Sequence, residues 1–300
     1  MDYNNKINSV INDDILSIEL ISETSNKVFR VVTKNNGTLF AKFYMTNSFH
    51  RDNELRLYSF ADSSYLKEIY YSEDDMAVFK ELKGKTVDSL SREEVHAFKD
   101  MIIDSLISFF TSVSNTKVEG YGILDENLRG KSSTFIDFLK SKQKESAEIL
   151  KDYDELNHIA EDIFAMYEDS FEGDNSLVPI DTNMKNIMIT HDRRVKFIDP
   201  GEMISGPILM GYGDFLAHTN KMELGDTLIE KLNLNEKDRD MIHIYAIFSS
   251  LNILAFLKKN GVDDLYSVIP FGNTHTFLSL ITDSYNSLSR NQKKLTNKKD

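Results

Sequence analysis

Three side chains in the second half of the chain have the types and spacing of a phosphoryl-transfer centre. Asp181 and Asn186 are five positions apart, and Asp199 follows after a short interval. A kinase reaction needs one carboxylate to accept the proton of the attacking hydroxyl. It also needs an amide and a second carboxylate to hold the Mg²⁺ ions that neutralise a triphosphate. The order therefore predicts Asp181 as the catalytic proton acceptor, and Asn186 and Asp199 as metal ligands.

The residues between these side chains predict an element that would bring them together. Residues 187–189 form an apolar run, residues 195–198 alternate apolar and polar, and the polar residues 191–194 separate them. This pattern is typical of a β-hairpin, which would place the loop before its first strand beside Asp199. Aspartate and asparagine also cap turns, and short motifs match by chance. The pair of residues alone therefore leaves a purely structural turn open.

The N-terminal third predicts a set of strands that carries a lysine. Residues 18–21, 28–32 and 39–44 are largely apolar runs, and an Asn-Gly pair between the last two is a strong hairpin signal. Lys42 lies inside the last run, and a cation in an apolar segment usually has an anionic partner.

Glu54 is the predicted partner of Lys42. Leu57 and Phe60 follow it at helical spacing, so Glu54 is expected on a helix. An ion pair between the two would be the pair that positions a nucleotide phosphate in kinases. The alternative is an exposed lysine on an edge strand and a solvated glutamate.

Taken in order, these segments resemble the aminoglycoside phosphotransferase family, whose members are small-molecule kinases with a protein-kinase-like fold. The resemblance extends over about residues 22–217. The similar segments are the nucleotide-loop strand (25–31), the lysine strand (39–42), the glutamate helix (54–58), the adenine strand and hinge (79–84), the catalytic loop (181–186), the metal-binding segment (198–201), and the GDP and DLA elements (205–207 and 213–217).

The resemblance implies an α+β, two-lobed, protein-kinase-like fold. A small, mainly β, nucleotide-binding lobe is expected over residues 1–83, a larger helical catalytic and substrate lobe over residues 84–290, and a disordered tail over residues 291–300. ATP or GTP would bind with Mg²⁺ between the lobes, and its γ-phosphate would pass to a hydroxyl of a small molecule. The implied roles are nucleotide binding for Lys42, Glu54, Ser25, Asn26, Glu81 and Leu82, metal binding for Asn186 and Asp199, catalysis for Asp181, and contact with a cationic substrate group for Glu202.

The chain departs from the family pattern at three places. Pro179-Ile180 stands where the family has His-Gly before the catalytic aspartate, and residues 22–26 contain no glycine. Ser205-Gly206 replaces the Gly-Asp of the GDP element, so one acidic group of the substrate side is missing. The first departure affects the bracing of Asp181, and the second affects the loop that holds the phosphates. A catalytically silent nucleotide-binding pseudokinase therefore stays open as an alternative. A protein kinase is the third reading, although nothing between Gly201 and Asp214 resembles an activation segment.

Composition narrows the classes of partner. The chain has 300 residues, with 48 acidic and 35 basic side chains and a formal charge of −13. This charge argues against nucleic-acid binding and favours a cationic partner such as an amino sugar, although acidity also serves solubility.

There is no cysteine, so disulfides and thiol nucleophiles are excluded. The N-terminus does not resemble a signal peptide and no apolar run reaches membrane length, so a cytoplasmic protein without membrane contact is expected. The oligomeric state is not predicted.

Several long helices are expected in the second lobe. Ser91 and Glu94 form a capping-box pattern, followed by apolar residues at helical spacing to residue 113. Similar spacing predicts helices over residues 150–167 and 241–257, the latter apolar on most faces.

Overall fold

A five-stranded antiparallel sheet makes up most of the N-terminal region. The computed structural model describes residues 2–23, 26–45, 48–73, 75–171, 173–199 and 202–296. The strand order is β1-β2-β3-β5-β4, with every neighbouring pair antiparallel. The elements of this region are α1 (Tyr3–Val10), β1 (Ile15–Glu23), β2 (Asn26–Thr33), β3 (Thr38–Tyr44), α2 (Ser48–Phe60), β4 (Ile69–Glu73) and β5 (Met76–Lys80).

The predicted hairpin between β2 and β3 is confirmed, and its turn is held by hydrogen bonds to Asp13, a residue outside the hairpin. Gly37 has φ +73°, a left-handed conformation that glycine adopts without a side-chain clash. The Asp13 carboxylate accepts hydrogen bonds from the backbone N–H groups of Asn35 (2.8 Å) and Asn36 (2.7 Å). The turn geometry sets the register that pairs Val28 with Lys42, and so it sets the position of the lysine along the sheet.

Two smaller sheets position the loops of the second region that contain Asp181, Asn186 and Asp199. One has the order β11-β10-β6 and the other β8-β7-β12-β9. Their strands are β6 (Gly84–Thr86), β7 (Tyr121–Leu124), β8 (Gly130–Ser132), β9 (Ser176–Ile180), β10 (Ile187–Thr190), β11 (Val195–Phe197) and β12 (Glu202–Gly206). The antiparallel pairing of β10 with β11 confirms the hairpin predicted between Asn186 and Asp199.

Seven helices are described in the second region, and α3 shows why the sequence forms them. Ser91 Oγ accepts a hydrogen bond from the Glu94 N–H (3.2 Å), and the Glu94 carboxylate accepts one from the Ser91 N–H (2.9 Å). This capping box is the predicted one, and it satisfies backbone donors that a helix start leaves unpaired. The helices are α3 (Arg92–Ser114), α4 (Phe135–Ile149), α5 (Asp154–Tyr167), α6 (Ile208–Thr219), α7 (Glu223–Leu232), α8 (Glu236–Lys259) and α9 (Phe277–Thr296).

Helix α8 is the buried helix predicted over residues 241–257. It packs against α4, α6 and α9, and most of its apolar side chains are buried. Among the described residues it is also the one helix long and apolar enough to cross a membrane, with a mean hydropathy of 1.5 over its best window. The expectation that no segment reaches membrane length was therefore wrong. The packing of α8 accounts for its apolar composition, because a helix buried on most faces needs no polar stripe.

Two other expectations differ from the structure. The predicted helix over residues 150–167 begins at Asp154, because Leu150 ends α4 by donating its N–H to the Ser146 carbonyl (2.9 Å). The backbone of residues 291–296 is helical, where a disordered tail was predicted. The buried Leu280, Ile281 and Leu288 anchor α9, and no glycine or proline ends the helix after them. Residues 297–300 lie outside the described residues.

Candidate active site

Asp181 lies in a loop that closes on itself at the end of β9. The residue has φ +60°, which is uncommon for a residue with a side chain. Asn183 Oδ1 accepts a hydrogen bond from the Lys185 N–H (3.0 Å) and so caps the short 3₁₀ helix Met184–Asn186. Asn186 Nδ2 donates to the Asp181 carbonyl (3.0 Å). The loop thus holds Asp181 in an unusual backbone conformation through its own side chains.

Asp214 on α6 holds the same loop from the protein interior. Its Oδ2 accepts hydrogen bonds from the N–H groups of Asp181 (2.8 Å) and Thr182 (3.3 Å), and its Oδ1 accepts one from the Ser249 hydroxyl on α8. Gly213 permits this arrangement, because a Cβ there would lie 2.5 Å from the Tyr245 Cβ on α8. The position of Asp181 is therefore fixed although Pro179-Ile180 replaces the expected His-Gly. The family resemblance included Asp214 in the DLA element, but nothing in the sequence indicated its hydrogen bonds.

The surroundings of Asp181 raise the pKa of its carboxyl to about 6. Partial burial beside the loop is the largest cause, and the negative charge of Asp214 follows, with further contributions from Glu202 and Asp199. A hydrogen bond from Asn183 Nδ2 (3.0 Å) acts in the opposite direction. The carboxyl still has access to solvent. An exposed carboxylate with a pKa near neutrality has the properties expected of a proton acceptor.

Lys42 joins two of the predicted carboxylates. Its Nζ lies 2.7 Å from Glu54 Oε2 and 2.6 Å from Asp199 Oδ1. Strand β3 is the middle strand of the sheet, Lys42 is 7% exposed and Glu54 is 1% exposed. The alternative of an exposed lysine on an edge strand is therefore wrong, and the predicted ion pair is confirmed.

Glu54 has two further partners that the sequence did not indicate. Lys67 Nζ lies 3.1 Å from Glu54 Oε1, and the Tyr44 hydroxyl donates to Oε2 (2.7 Å). Burial by itself would raise the pKa of the Glu54 carboxyl, but the charges of Lys67 and Lys42 outweigh it and lower that pKa to about 2. Glu54 therefore stays ionised, and Lys42 is held at a defined point of the site.

The hairpin brings Asn186 next to the segment that carries Asp199. Ile187 pairs with Phe197 across β10 and β11, and the Ile198 N–H donates to the Asn186 carbonyl (2.9 Å). The amide nitrogen of Asn186 is used by the Asp181 carbonyl, so its Oδ1 is left to act as an acceptor. An amide oxygen and a carboxylate are the oxygen ligands that Mg²⁺ prefers, and the donor set therefore fits that metal.

Solved structures match the chain over nearly its whole length. A thermostable mutant of aminoglycoside phosphotransferase APH(4)-Ia, in ternary complex with AMP-PNP and hygromycin B, has a TM-score of 0.65 and 12% identity, over 93% of this chain and 94% of that chain. Choline kinase LicA from Streptococcus pneumoniae has a TM-score of 0.63 and 14% identity, over 97% and 98%. Plasmodium vivax ethanolamine kinase has a TM-score of 0.59 and 13% identity, over 96% and 88%. The chain has a protein-kinase-like fold. No protein-family model and no curated protein matches its sequence.

Within this kinase-like fold, the remaining predicted nucleotide residues that the structure describes lie at the start of β2 and directly after β5. Asn26 is the first residue of β2 and pairs with Tyr44, whereas Ser25 lies outside the described residues. Glu81 follows β5 and donates its N–H to the Thr38 carbonyl (3.1 Å). Leu82 is half-buried in the same connection. Their roles toward a nucleotide stay predictions.

Glu202 and a cavity lie next to Ile180, the residue before Asp181. Glu202 is exposed, begins β12, and pairs with Ile180, the residue directly before Asp181. A cavity of about 330 Å³ opens beside both. Its lining is mainly apolar and comes from Ile123, Phe138, Leu139, Lys142, Gln143, Ile180, Glu202, Met203, Ile204, Met210 and Asn252. The kinase-like site therefore has a space for a small molecule next to its predicted proton acceptor, and sequence reasoning had found only Glu202 of its lining.

Proposed function

We propose that the chain is an ATP-dependent small-molecule kinase that transfers a phosphoryl group to a hydroxyl. The observation that carries the proposal is the placement of Asp181. Its carboxyl has a pKa of about 6, and the negative charge of Asp199 contributes to that value. Asp199 in turn forms an ion pair with Lys42. A cavity opens beside Ile180, the residue before Asp181. The residues of one phosphoryl-transfer reaction are thus grouped beside a space for its acceptor.

Each side chain would have one task. Asp181 would orient the acceptor hydroxyl and take its proton as the oxygen attacks the γ-phosphorus in line. Lys42, held by Glu54 and Lys67 on the buried side, would contact the phosphates. Asn186 Oδ1 and the Asp199 carboxylate would hold Mg²⁺. The metal, when bound, neutralises phosphate charge as the transfer proceeds.

The comparisons support a small-molecule acceptor without naming it. One similar structure holds hygromycin B, and two others are named as kinases of choline and of ethanolamine. The structure with hygromycin B also holds AMP-PNP, and that of another mutant of the same aminoglycoside phosphotransferase holds ADP, which supports a nucleotide donor. The overall charge of −13 favours an acceptor without strong negative charge, including a cationic amino alcohol or aminoglycoside.

Release of ADP by the pure protein tests the proposal. With ATP, Mg²⁺ and a panel of hydroxylated small molecules, at least one acceptor should raise ADP release well above the rate in water. Asp181→Asn should remove that increase, by on the order of 10²-fold or more, because the proton acceptor is lost. Equal activity of both proteins would rule out the assigned role of Asp181.

The pseudokinase alternative rests on residues 22–26, which contain no glycine to wrap around phosphates. It would be favoured by ATP binding in the micromolar range or tighter with no ADP release for any acceptor. Calorimetric titration with ATP beside the same assay separates the two functions.

A further inference from the structure

The cavity beside Asp181 is a mainly apolar space whose lining also includes the charged Lys142 and Glu202 and a defined polar point formed by Gln143 and Asn252. Its volume of about 330 Å³ is at the small end of ligand pockets, which are commonly about 300–1,000 Å³. Most of its lining is aliphatic or aromatic, including Phe138, Met203 and Met210. A ligand that fills it must present apolar surface to these walls, because burying unpaired polar groups against them is unfavourable.

The polar point is a small cluster of side chains on α4 and α8. Gln143 is 3% exposed, and its Nε2 donates to Asn252 Oδ1 (3.3 Å). The Ser146 hydroxyl donates to the same oxygen (2.7 Å). Within the described parts of the chain, Gln143 Oε1 has no hydrogen-bond partner although it is buried. Gln143 and Asn252 both line the cavity.

A buried acceptor without a partner is unusual. Nearly all buried polar side-chain atoms in proteins have a hydrogen-bond partner, and an unmatched one lowers stability. The cluster uses the donor of Gln143 internally and leaves its acceptor unmatched in a residue that lines the cavity. A ligand with an N–H or O–H group can therefore complete the network, and a ligand without such a group leaves the acceptor unmatched.

We infer that this cavity binds the phosphate acceptor, and that the acceptor is a small alcohol with an apolar body and a second hydrogen-bond donor directed at Gln143 Oε1. The inference rests on the proposed function for the fate of the hydroxyl, which must reach Asp181 next to Ile180. It assigns Gln143 as a specificity-determining residue. It also disfavours large, polyhydroxylated amino sugars, because a mainly apolar cavity of about 330 Å³ matches neither their size nor their many polar groups.

Binding measured by calorimetry tests the inference without any catalysis. The probes are small alcohols with one aromatic or branched aliphatic group and a secondary amide N–H, each paired with its N-methylated analogue. At least one N–H probe should bind the wild-type protein about tenfold more tightly than its analogue, because only the N–H form satisfies the buried acceptor. Gln143→Leu should reduce the affinity for the N–H probe to the level of the analogue.

Lys144→Ala is the matched control. Lys144 is adjacent to Gln143 but exposed on the other side of α4, so its substitution should leave both affinities unchanged. Equal binding of both probe forms to wild type, no binding by any probe, or no effect of Gln143→Leu would each overturn the inference. The comparison of probes on wild type remains decisive if Gln143→Leu does not fold.

A second arm separates this inference from the proposed function. Asp181→Asn should keep the roughly tenfold preference for the N–H probe over its analogue, because both probes carry the same hydroxyl and the amide N–H is directed at Gln143 rather than at Asp181. Probe selectivity without ADP release would retain the cavity assignment and reject the kinase. ADP release with an acceptor whose KM is unchanged in Gln143→Leu would retain the kinase and reject the assignment of Gln143.

Discussion

The Asp181 carboxyl should give the reaction a specific dependence on pH. Its pKa is raised to about 6 by burial and by Asp214, Glu202 and Asp199, and only the ionised form can accept a proton. We expect kcat/KM to rise about tenfold per pH unit below pH 6 and to level off above it. A profile measured from pH 5 to pH 8.5 checks this.

Glu202→Gln tests the cause of that raised pKa. Removing one negative neighbour favours the ionised form of Asp181, so the midpoint of the profile should move to lower pH. Glu236→Gln, at the distant start of α8, is the control and should leave the midpoint in place. A profile that is flat between pH 5 and pH 7 would exclude Asp181 as the group that titrates.

At the scale of single residues, type and spacing predicted which segments lie together but not the side chains that hold them. The proximity of the segments that carry Asp181, Asn186 and Asp199 could be predicted because a local hairpin joins them, and the roles of the three residues stay predictions. Lys67 and the bracing role of Asp214 could not be found. Lys67 reaches Glu54 from an irregular segment, and Asp214 reaches the loop from a helix, so both contacts depend on tertiary packing.

The contact between helix α2 and strand β3 depends on the buried carboxylate of Glu54, which pairs with Lys42. Glu54→Gln would leave Lys42 and Lys67 without their shared counter-ion, while Asp199 still balances Lys42. Breaking a buried ion pair on one side is strongly destabilising, so we expect the free energy of unfolding to fall by about 3 kcal/mol. Urea denaturation at pH 7 measures it.

Glu68→Gln is the matched control for that prediction. Glu68 is exposed and forms a surface ion pair with Lys80 (2.5 Å). Such pairs contribute about 0–1 kcal/mol, so this substitution should have little effect. If the two variants lost the same stability, the buried cluster would not be what joins α2 to the sheet.

The packing of α6 against α8 should control the catalytic loop. Asp214→Ala removes the acceptor for the N–H groups of Asp181 and Thr182, and a small displacement of a catalytic group can cost about 10²-fold in rate. We expect kcat to fall by about that factor while the affinity for ATP changes little, because Lys42 and Glu54 are untouched. Steady-state kinetics and ATP titration of the same preparation measure both quantities.

Ser249→Ala provides the comparison within the same contact. It removes one hydrogen bond to Asp214 but keeps the two bonds to the loop, so kcat should fall by less than about tenfold. A larger loss in Ser249→Ala than in Asp214→Ala would place the support of the loop elsewhere.

At the scale of elements, the strongest sequence patterns predicted the strands and the long helices. The β2–β3 hairpin, the capped start of α3 and the buried α8 follow from turn chemistry, capping and hydrophobic spacing. Helix α4 was not predicted, because its apolar periodicity stops at Leu139 and the buried positions that follow are the polar Gln143 and Ser146. Those polar residues line or border the cavity. An element that was not predicted is therefore the one on which specificity is proposed to depend.

The whole molecule joins its β-rich and helical regions around the site. Lys42 on β3 contacts Asp199, Leu66 forms a parallel bridge with Phe197, and Lys196 Nζ donates to the Leu66 carbonyl (2.9 Å). The sequence could predict both regions, because each has its own pattern. It could not predict these joining contacts, which link residues 130 or more positions apart.

Net charge and the cavity make opposite predictions about the acceptor, and ionic strength separates them. A charge of −13 would attract a multiply cationic acceptor over long range, and salt would weaken that attraction because the screening length falls from about 10 Å at 0.1 M to about 3 Å at 1 M. An amphipathic acceptor held by apolar walls and Gln143 should instead be almost insensitive to salt. For the best acceptor, we expect KM to change by less than about threefold between 0.05 and 0.5 M NaCl.

Glu202→Gln should leave this response unchanged. A KM that rises steeply with salt, and less steeply in Glu202→Gln, would identify a cationic acceptor held by the charge of Glu202 and would contradict the amphipathic acceptor assigned to the cavity.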